Sequence, residues 1–286
     1  MSSALDRANE EFWNELCGSS LARRLGIKTH SRQELERFDQ AYLDFYPYLL
    51  GHVHTSEMRQ KKVMDVGLGY GTLGQEIIKA GSDYVGLDIA DQPVRMMKHR
   101  IRMTSLHGNV VKASILDCPV DSESVDWVIS IGCFHHTGDI QRCVDETYRV
   151  LKPGGQVTIM AYNRFSLRQW VWWPAQTFQA ALSDLGLQEK HPEASEDMRR
   201  FYDSNLSGSA APETQFSSLK QLRKVFRRYS QVRFYKENCD SLVVPKLHIT
   251  VIPRLKLLSS VGRAMGTDIY VEARKQTGRV RLDGPR

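Results

Sequence analysis

The feature that most constrains the fold of this chain is an apolar segment that runs directly into a cluster of glycines. Residues 62–66 have the composition of a buried strand, and Gly67, Gly69 and Gly71 follow at alternate positions. Glycine permits a tight turn and lets a ligand lie against bare backbone. A helix is predicted from Thr72, and its free N–H groups would face the same ligand. The sequence therefore predicts a strand, a ligand-binding turn and a helix.

The region from Lys62 to Tyr162 alternates short apolar segments with amphipathic helical ones, which is typical of β-α-β units on a parallel sheet. Strands are predicted at Lys62–Val66, Tyr84–Leu87, Asn109–Ala113, Val125–Ile131, Gln156–Tyr162, Gln231–Lys236 and Asp268–Arg274. Helices are predicted at Thr72–Ala80, Pro93–Leu106, Asp139–Leu151, Arg168–Leu185 and Ser218–Arg228, and residues 152–155 are predicted to form a turn. We therefore expect a doubly wound α/β fold.

The pattern divides the chain into consecutive regions. We expect an N-terminal helical cap, a ligand-binding α/β core, a lid insertion, the end of the sheet with a second insertion, and a disordered basic tail. In that order, these are residues 1–60, 61–162, 163–217, 218–274 (second insertion 239–265) and 275–286.

Two carboxylates narrow the identity of the ligand. Asp65 lies within the end of the first strand, where it would repel a pyrophosphate and favour a cationic amino group. Counted from Gly67, the loop has Thr72 where the dinucleotide fingerprint has its third glycine. Asp88 ends the second strand, 21 residues after Gly67, where an acid binds ribose hydroxyls in nucleotide-binding α/β folds. The loop therefore favours a nucleoside with a cationic tail over a dinucleotide.

Five segments in order resemble those of class I S-adenosylmethionine-dependent methyltransferases. They are residues 65–71 (DVGLGYG), 85–88 (VGLD), 118–130 (CPV followed by VDWVIS), 134–136 (FHH) and 148–155 (YRVLKPGG). The resemblance covers about residues 62–162. It implies a seven-stranded Rossmann-like sheet with an antiparallel last strand, and S-adenosyl-L-methionine as the cofactor.

The resemblance also implies a role for each matching residue. Asp65 and the loop backbone would hold the methionine end, and Asp88 would bind the ribose. Ser114 stands where the family usually has an acidic residue, which puts that adenine contact in doubt. The cofactor-binding residues implied in this way are Asp65, Gly67, Gly69, Gly71, Asp88, Ile89, Ser114, Ile115, Ile131 and Gly132.

Candidates for the chemistry lie outside the glycine loop. Methyl transfer from a sulfonium depends mainly on positioning, and a base is needed only if the acceptor must lose a proton. His135 and His136 follow the fourth strand and are the candidate bases, although a structural role in the loop explains them as well. Aromatic and polar residues of the cap and lid are the candidate substrate contacts, with core packing as the alternative: Tyr42, Tyr46, Asn163, Arg164 and Trp172.

Composition excludes several classes of protein. The net charge of +6 comes from scattered basic residues, so we expect no nucleic-acid partner and at most peripheral membrane contact. The five cysteines form no C-x-x-C pair, so no metal site is expected. We expect the thiols to be reduced and the protein to be cytoplasmic. A homo-oligomer is compatible with the sequence.

These observations predict a methyltransferase that acts on oxygen, nitrogen or carbon of a small or lipid-like acceptor. An NAD(P)-dependent oxidoreductase and a non-catalytic cofactor-binding subunit are the alternatives, because a fold does not identify its acceptor. Nucleic-acid methylation is less favoured, since no N/D-P-P-Y/F segment occurs.

Overall fold

A seven-stranded sheet forms the centre of the protein. The computed structural model describes residues 3–104, 107–244 and 249–277. The strands are β1 (Lys62–Val66), β2 (Asp83–Asp88), β3 (Asn109–Lys112), β4 (Val125–Ile131), β5 (Leu151–Tyr162), β6 (Tyr229–Glu237), β7 (Leu242–Val244), β8 (Ile249–Ile252) and β9 (Asp268–Lys275). The order in the large sheet is β3-β2-β1-β4-β5-β9-β6, and β7 pairs with β8 in a separate hairpin. Strands β1 to β5 run parallel, whereas β9 is antiparallel to both of its neighbours. The predicted sheet is confirmed.

Helices cover both faces of this sheet. They are α1 (Ala4–Trp13), α2 (Ser19–Arg24), α3 (Arg32–Phe45), α4 (Leu49–Val53), α5 (Thr72–Lys79), α6 (Asp91–Thr104), α7 (Ile140–Val150), α8 (Leu167–Trp172), α9 (Pro174–Asp184), α10 (Glu196–Tyr202), α11 (Leu219–Val225), α12 (Arg254–Leu257) and α13 (Arg263–Met265). A turn of π-helix at Leu258–Gly262 joins the last two.

Side-chain alternation in the central strands explains why both faces are covered. Val63 of β1 packs with helices α4, α5 and α6, whereas the next residue, Met64, packs with α7 and α11 on the opposite face. Because successive strand residues point to opposite sides, a strand with both sets apolar must be buried on both faces. Both residues are fully buried.

The structure corrects three predictions: the helix at 168–185, the start of the fifth strand and the turn at 152–155. The predicted helix at 168–185 is two helices, because Trp173 leaves the helical conformation (φ −133°, ψ 55°) before Pro174, and proline disfavours helical backbone in the residue before it. Strand β5 begins at Leu151 and includes the predicted turn at 152–155. That segment bulges out of the strand, since Leu151 and Gln156 pair with Val125 and Trp127, which are only two residues apart.

The predicted disordered tail at 275–286 begins within a strand. Lys275 is the last residue of β9, and its ammonium lies 3.0 Å from the Glu123 carboxylate. Residues 278–286 lie outside the described residues, as do 105 and 106 at the predicted end of the helix that begins at Pro93. Within the described part of the chain, we find no helix that has both the length and the apolar character needed to cross a membrane.

The N-terminal cap is joined to the core by a buried ion pair. The Arg100 guanidinium of α6 donates to both carboxylate oxygens of Asp39 in α3, at 2.8 Å each. The same carboxylate accepts a hydrogen bond from the Thr72 hydroxyl at the start of α5, at 2.6 Å. The cap is therefore bonded directly to the helix that follows the glycine loop.

Candidate active site

A cleft opens at the carboxyl ends of β1, β2 and β4, where ligands bind in open α/β sheets. It encloses about 1070 Å³ of empty space, counted out to its open mouth. Nine of the ten predicted cofactor-binding residues line it: Gly67, Gly69, Gly71, Asp88, Ile89, Ser114, Ile115, Ile131 and Gly132. The structure therefore brings these residues from four separate segments of the chain to one cleft.

The glycine loop has a backbone that other residues adopt with difficulty. Gly67 and Gly71 have φ angles of +85° and +79°, in the left-handed region that favours glycine. A Cβ on Gly67 would lie 2.6 Å from the Cβ of Cys133, which follows β4. The loop can therefore pass close beneath the cleft only because these positions carry no side chain.

Asp88 holds this loop as well as lining the cleft. Its Oδ2 accepts a hydrogen bond from the Leu68 N–H at 2.7 Å, and its Oδ1 accepts one from the Ala90 N–H at 2.9 Å. Burial raises the pKa of Asp88 from 3.8 to about 6, and the backbone hydrogen bonds oppose that rise. Asp88 thus links β2 to the glycine loop at the position predicted for ribose binding.

Asp65, the tenth predicted cofactor residue, lies behind the cleft wall. It is 2% exposed, and its Oδ2 accepts a hydrogen bond from the Tyr84 hydroxyl at 2.9 Å. Burial raises the pKa of Asp65 from 3.8 to about 7, and the nearby Asp88 carboxylate adds to the rise. The carboxylate is therefore bonded to Tyr84 of β2 and is not part of the cleft lining, and its predicted contact with the methionine end stays a prediction.

The two candidate bases have different surroundings. His135 is fully buried, and its ring lies between those of His136 and Tyr162 in tilted contacts with centroid distances of 4.2 and 4.1 Å. Burial, with the neighbouring His136, holds the pKa of His135 well below its ordinary value, so this ring is neutral. His136 lines the cleft. Only His136 is placed where it can reach a bound acceptor.

His136 contacts the lid through both ring nitrogens. Nδ1 lies 2.7 Å from the Glu213 carbonyl oxygen, and Nε2 lies 3.6 Å from Oδ2 of Asp203, which follows α10. The Tyr162 hydroxyl donates to the same Asp203 oxygen at 2.9 Å. Burial raises the pKa of Asp203, against the opposing effects of His136 and Tyr162. A histidine, a carboxylate and a phenol thus meet at the side of the cleft.

The predicted substrate residues are spread over several places. Tyr42 lines the cleft, and Tyr46 packs against it with the ring centroids 5.0 Å apart. Asn163 is buried, and its amide donates to the Gly266 carbonyl at 2.7 Å. Arg164 donates to the carbonyls of Pro192 and Phe216 within the lid, and Trp172 is 54% exposed on the lid surface. Of the five, only Tyr42 lies in the cleft wall.

Helix α1 and the turn after it supply cleft residues that the sequence analysis did not identify: Asp6, Asn9, Trp13 and Cys17. The Asn9 amide donates to the His136 carbonyl at 2.8 Å, and the Trp13 ring lies 4.7 Å from the His136 ring. A helical cap was predicted for residues 1–60, but no local signal indicated which part of the core its first helix would cover. Asp39 and Arg100 were missed for the same reason.

Comparison with known proteins agrees with this geometry. Residues 64–159 match the protein family described as methyltransferase domain. The chain is 28% identical over 121 residues to a ubiquinone biosynthesis O-methyltransferase of Klebsiella pneumoniae, which is 41% of this chain and 50% of that protein. It is 30% identical over 105 residues to the Aliivibrio fischeri protein of the same name, 36% of this chain and 45% of that one. The chain thus spans about half the length of these curated relatives.

Solved structures extend the likeness of the fold beyond that segment. The YcgJ protein from Bacillus subtilis superposes with a TM-score of 0.55 at 16% identity, covering 82% of this chain and all of that one. A SAM-dependent methyltransferase from Methanosarcina mazei gives 0.55 at 14% identity, covering 79% of this chain and 97% of that one. The family match, with the sheet order and the glycine loop, identifies residues 64–159 as a methyltransferase domain of the S-adenosylmethionine-dependent type, and the solved structures share its class I fold.

Proposed function

We propose that this protein transfers a methyl group from S-adenosyl-L-methionine to a small-molecule acceptor bound beside His136. The charge of the cleft carries the proposal. Its lining includes the carboxylates of Asp6 and Asp88, and neither lysine nor arginine is present among the described residues that line it. Such a wall favours a ligand with ammonium and sulfonium charges and disfavours a pyrophosphate.

The residues present fit the parts of this cofactor. Asp88 supplies an acceptor for ribose hydroxyls, and Ile89 and Ile115 supply apolar surface for an adenine ring. Gly67, Gly69 and Gly71 line the cleft, where the backbone of the loop can contact the methionine end. When bound, the cofactor supplies an electrophilic methyl group, and Ile131 and Gly132 at the end of β4 line the cleft where the acceptor must approach it.

The acceptor is proposed to be a small molecule because Trp13 and Tyr42 give the cleft an aromatic wall, as in pockets for small ligands. The curated relatives described above are named as O-methyltransferases of ubiquinone biosynthesis, which supports a small-molecule acceptor. Nucleic acid is disfavoured because the lining described above contains no cation for a phosphate backbone.

Calorimetry with the purified full chain tests the cofactor. S-adenosyl-L-homocysteine is expected to bind, whereas NAD gives no heat under the same conditions. Binding of NAD with no response to S-adenosyl-L-homocysteine would overturn the proposal and favour an oxidoreductase. A catalytic protein is separated from a cofactor-binding subunit by incubation with methyl-labelled S-adenosyl-L-methionine and an extract of small molecules. Label in an organic product supports turnover.

A further inference from the structure

A backbone carbonyl of the lid determines which ring nitrogen of neutral His136 carries the proton. A carbonyl oxygen can only accept a hydrogen bond, and the Glu213 carbonyl lies 2.7 Å from Nδ1. Nδ1 must therefore carry the proton of the neutral ring. It follows that Nε2 carries the lone pair, which is the basic position of the imidazole.

That lone pair faces another acceptor. Nε2 lies 3.6 Å from Oδ2 of Asp203, and this oxygen already accepts a hydrogen bond from the Tyr162 hydroxyl at 2.9 Å. Nε2 is beyond hydrogen-bond distance of this oxygen, so its lone pair is left without a donor from Asp203. His136 lines the cleft, so a bound molecule can reach this position.

The arrangement is held from three separate parts of the chain. The Asn9 amide of α1 donates to the His136 carbonyl at 2.8 Å, and the Trp13 ring lies against the imidazole. Tyr162 ends β5, and Asp203 follows α10 in the lid. A surface histidine needs no such support, whereas a base must be held in one orientation.

We propose that His136 is the general base for a hydroxyl-bearing acceptor and that Asp203 is the residue that positions it. This inference rests on the proposed function. A hydroxyl is the acceptor that needs a base, because its oxygen becomes a strong nucleophile only as its proton leaves, and it can donate that proton to Nε2 and keep a lone pair for the methyl group. The acceptor class is therefore a small molecule methylated on oxygen, with aromatic surface from Trp13 beside it.

The reaction balances with these groups alone. The acceptor O–H proton moves to Nε2 of His136 as an oxygen electron pair forms the new O–CH₃ bond. The bond between the methyl carbon and the sulfonium sulfur breaks, and its electron pair stays on sulfur, which becomes a neutral thioether. The Asp203 carboxylate then faces a cationic imidazolium, an opposite charge that stabilises the protonated base. The proton later passes to solvent.

Nitrogen-15 NMR of the histidine side chains tests the tautomer without an acceptor. In the complex with S-adenosyl-L-homocysteine, His136 is expected to show a protonated Nδ1 and an unprotonated Nε2 at pH 8. Asp203→Asn is expected to shift the Nε2 resonance, whereas Asp197→Asn is not. Asp197 is a matched control because it lies on α10, where its carboxylate is exposed and bonded to Arg200. A proton on Nε2, or a resonance indifferent to Asp203, would overturn the proposal.

Sinefungin tests whether Asp203 faces the transferred methyl group. This analogue carries an ammonium group where the cofactor carries its methyl, so a nearby carboxylate strengthens its binding relative to S-adenosyl-L-homocysteine. Asp203→Asn is expected to reduce that preference about fivefold, and Asp197→Asn is expected to leave it unchanged. An unchanged ratio in Asp203→Asn contradicts the placement. If the wild-type protein binds neither ligand, the proposed function itself fails.

Methyl-labelled S-adenosyl-L-methionine and a panel of phenols, catechols and alcohols, with amines and thiols of the same skeletons, test the acceptor class. Label is expected on oxygen, and His136→Gln is expected to lower that transfer by about 10²–10⁴-fold with unchanged affinity for S-adenosyl-L-homocysteine. Label on amines or thiols with unmodified hydroxyl compounds would overturn the inference while leaving methyl transfer intact. A His136→Gln variant of normal turnover would overturn it as well.

Discussion

The two sides of the cleft are built differently. On the cofactor side, the glycine loop and Asp88 are separated by only 20 residues, and they are joined through backbone hydrogen bonds such as Leu68 N–H to Asp88. On the acceptor side, His136 meets Asp203, 67 residues later, and Asn9, 127 residues earlier. One side is a local turn between adjacent strands, and the other is an assembly of distant side chains.

This difference explains why the family match covers all of the predicted cofactor side and only part of the acceptor side. The family match covers residues 64–159, which contain the glycine loop, Asp88 and both histidines. It leaves out α1 and the lid, which supply Trp13 and Asp203. A cofactor of one chemistry needs one backbone shape, whereas each acceptor needs its own set of side chains.

The largest expected effect comes from breaking the ion pair between the N-terminal cap and the core. Asp39→Ala leaves the Arg100 guanidinium, which is 2% exposed, buried without its carboxylate. Removal of one partner of a buried ion pair costs about 3–5 kcal/mol in the free energy of unfolding. Urea unfolding measures this loss. The double variant Asp39→Leu with Arg100→Met is the control and is expected to recover part of it. A loss below about 1 kcal/mol would mean that the cap is not coupled to the core through this pair.

A smaller effect is expected on the cofactor side. Asp88→Ala removes an acceptor from the cleft, the hydrogen bond to Leu68 of the loop and the hydrogen bond to Ala90, so binding of S-adenosyl-L-homocysteine should weaken by about 1–3 kcal/mol. Calorimetry measures the change. Asp83→Ala, at the exposed opposite end of β2, is the matched control. Equal affinities in wild type and a folded Asp88→Ala variant would remove Asp88 from the ribose site.

The pH dependence of stability tests the burial of Asp65. The pKa of Asp65 is about 7 in the folded protein, above the ordinary value of 3.8, because the group is buried. A group whose folded pKa is raised contributes stability that is complete below about pH 4 and is lost as the pH rises to about 7. Asp65→Asn is therefore expected to gain stability relative to wild type between pH 5 and pH 8.

Thermal melting at several pH values measures that difference. Asp65 lies behind the cleft wall, so the same variant is expected to keep its affinity for S-adenosyl-L-homocysteine. Parallel stability curves for the two proteins would contradict the raised pKa. A loss of affinity would instead support the role that the family resemblance implies for Asp65.

The smallest effect is expected in the lid. Trp172 is 54% exposed and contacts Phe201 with a ring distance of 5.6 Å, so Trp172→Ala should change the free energy of unfolding by less than about 1 kcal/mol. Trp127→Ala is the contrasting control, because that ring is 1% exposed and its removal should cost about 3–5 kcal/mol. Differential scanning calorimetry compares the two. A large loss of stability in Trp172→Ala would show that this side chain is packed against the lid instead of lying exposed on its surface.

Much of the fold followed from local patterns. Strands β1 and β4 have the predicted bounds, and the sheet of seven strands was expected before any coordinates. Errors arose where two local signals compete. Pro174 divides a continuous amphipathic segment into two helices, and Gly154 forms a bulge with a φ of +80° inside a longer strand.

The sequence by itself determined the cofactor side of the site. Strand alternation, glycines at alternate positions and an acid at the end of β2 are short-range properties, and each constrains the backbone within one β-α-β unit. Tertiary structure alone decided the acceptor side. Whether Tyr42 or Tyr46 lines the cleft, which histidine is buried, and that Asp203 meets His136 depend on how the cap and lid pack on the sheet. Such packing is set by side-chain contacts between segments far apart in the chain, which no local pattern encodes.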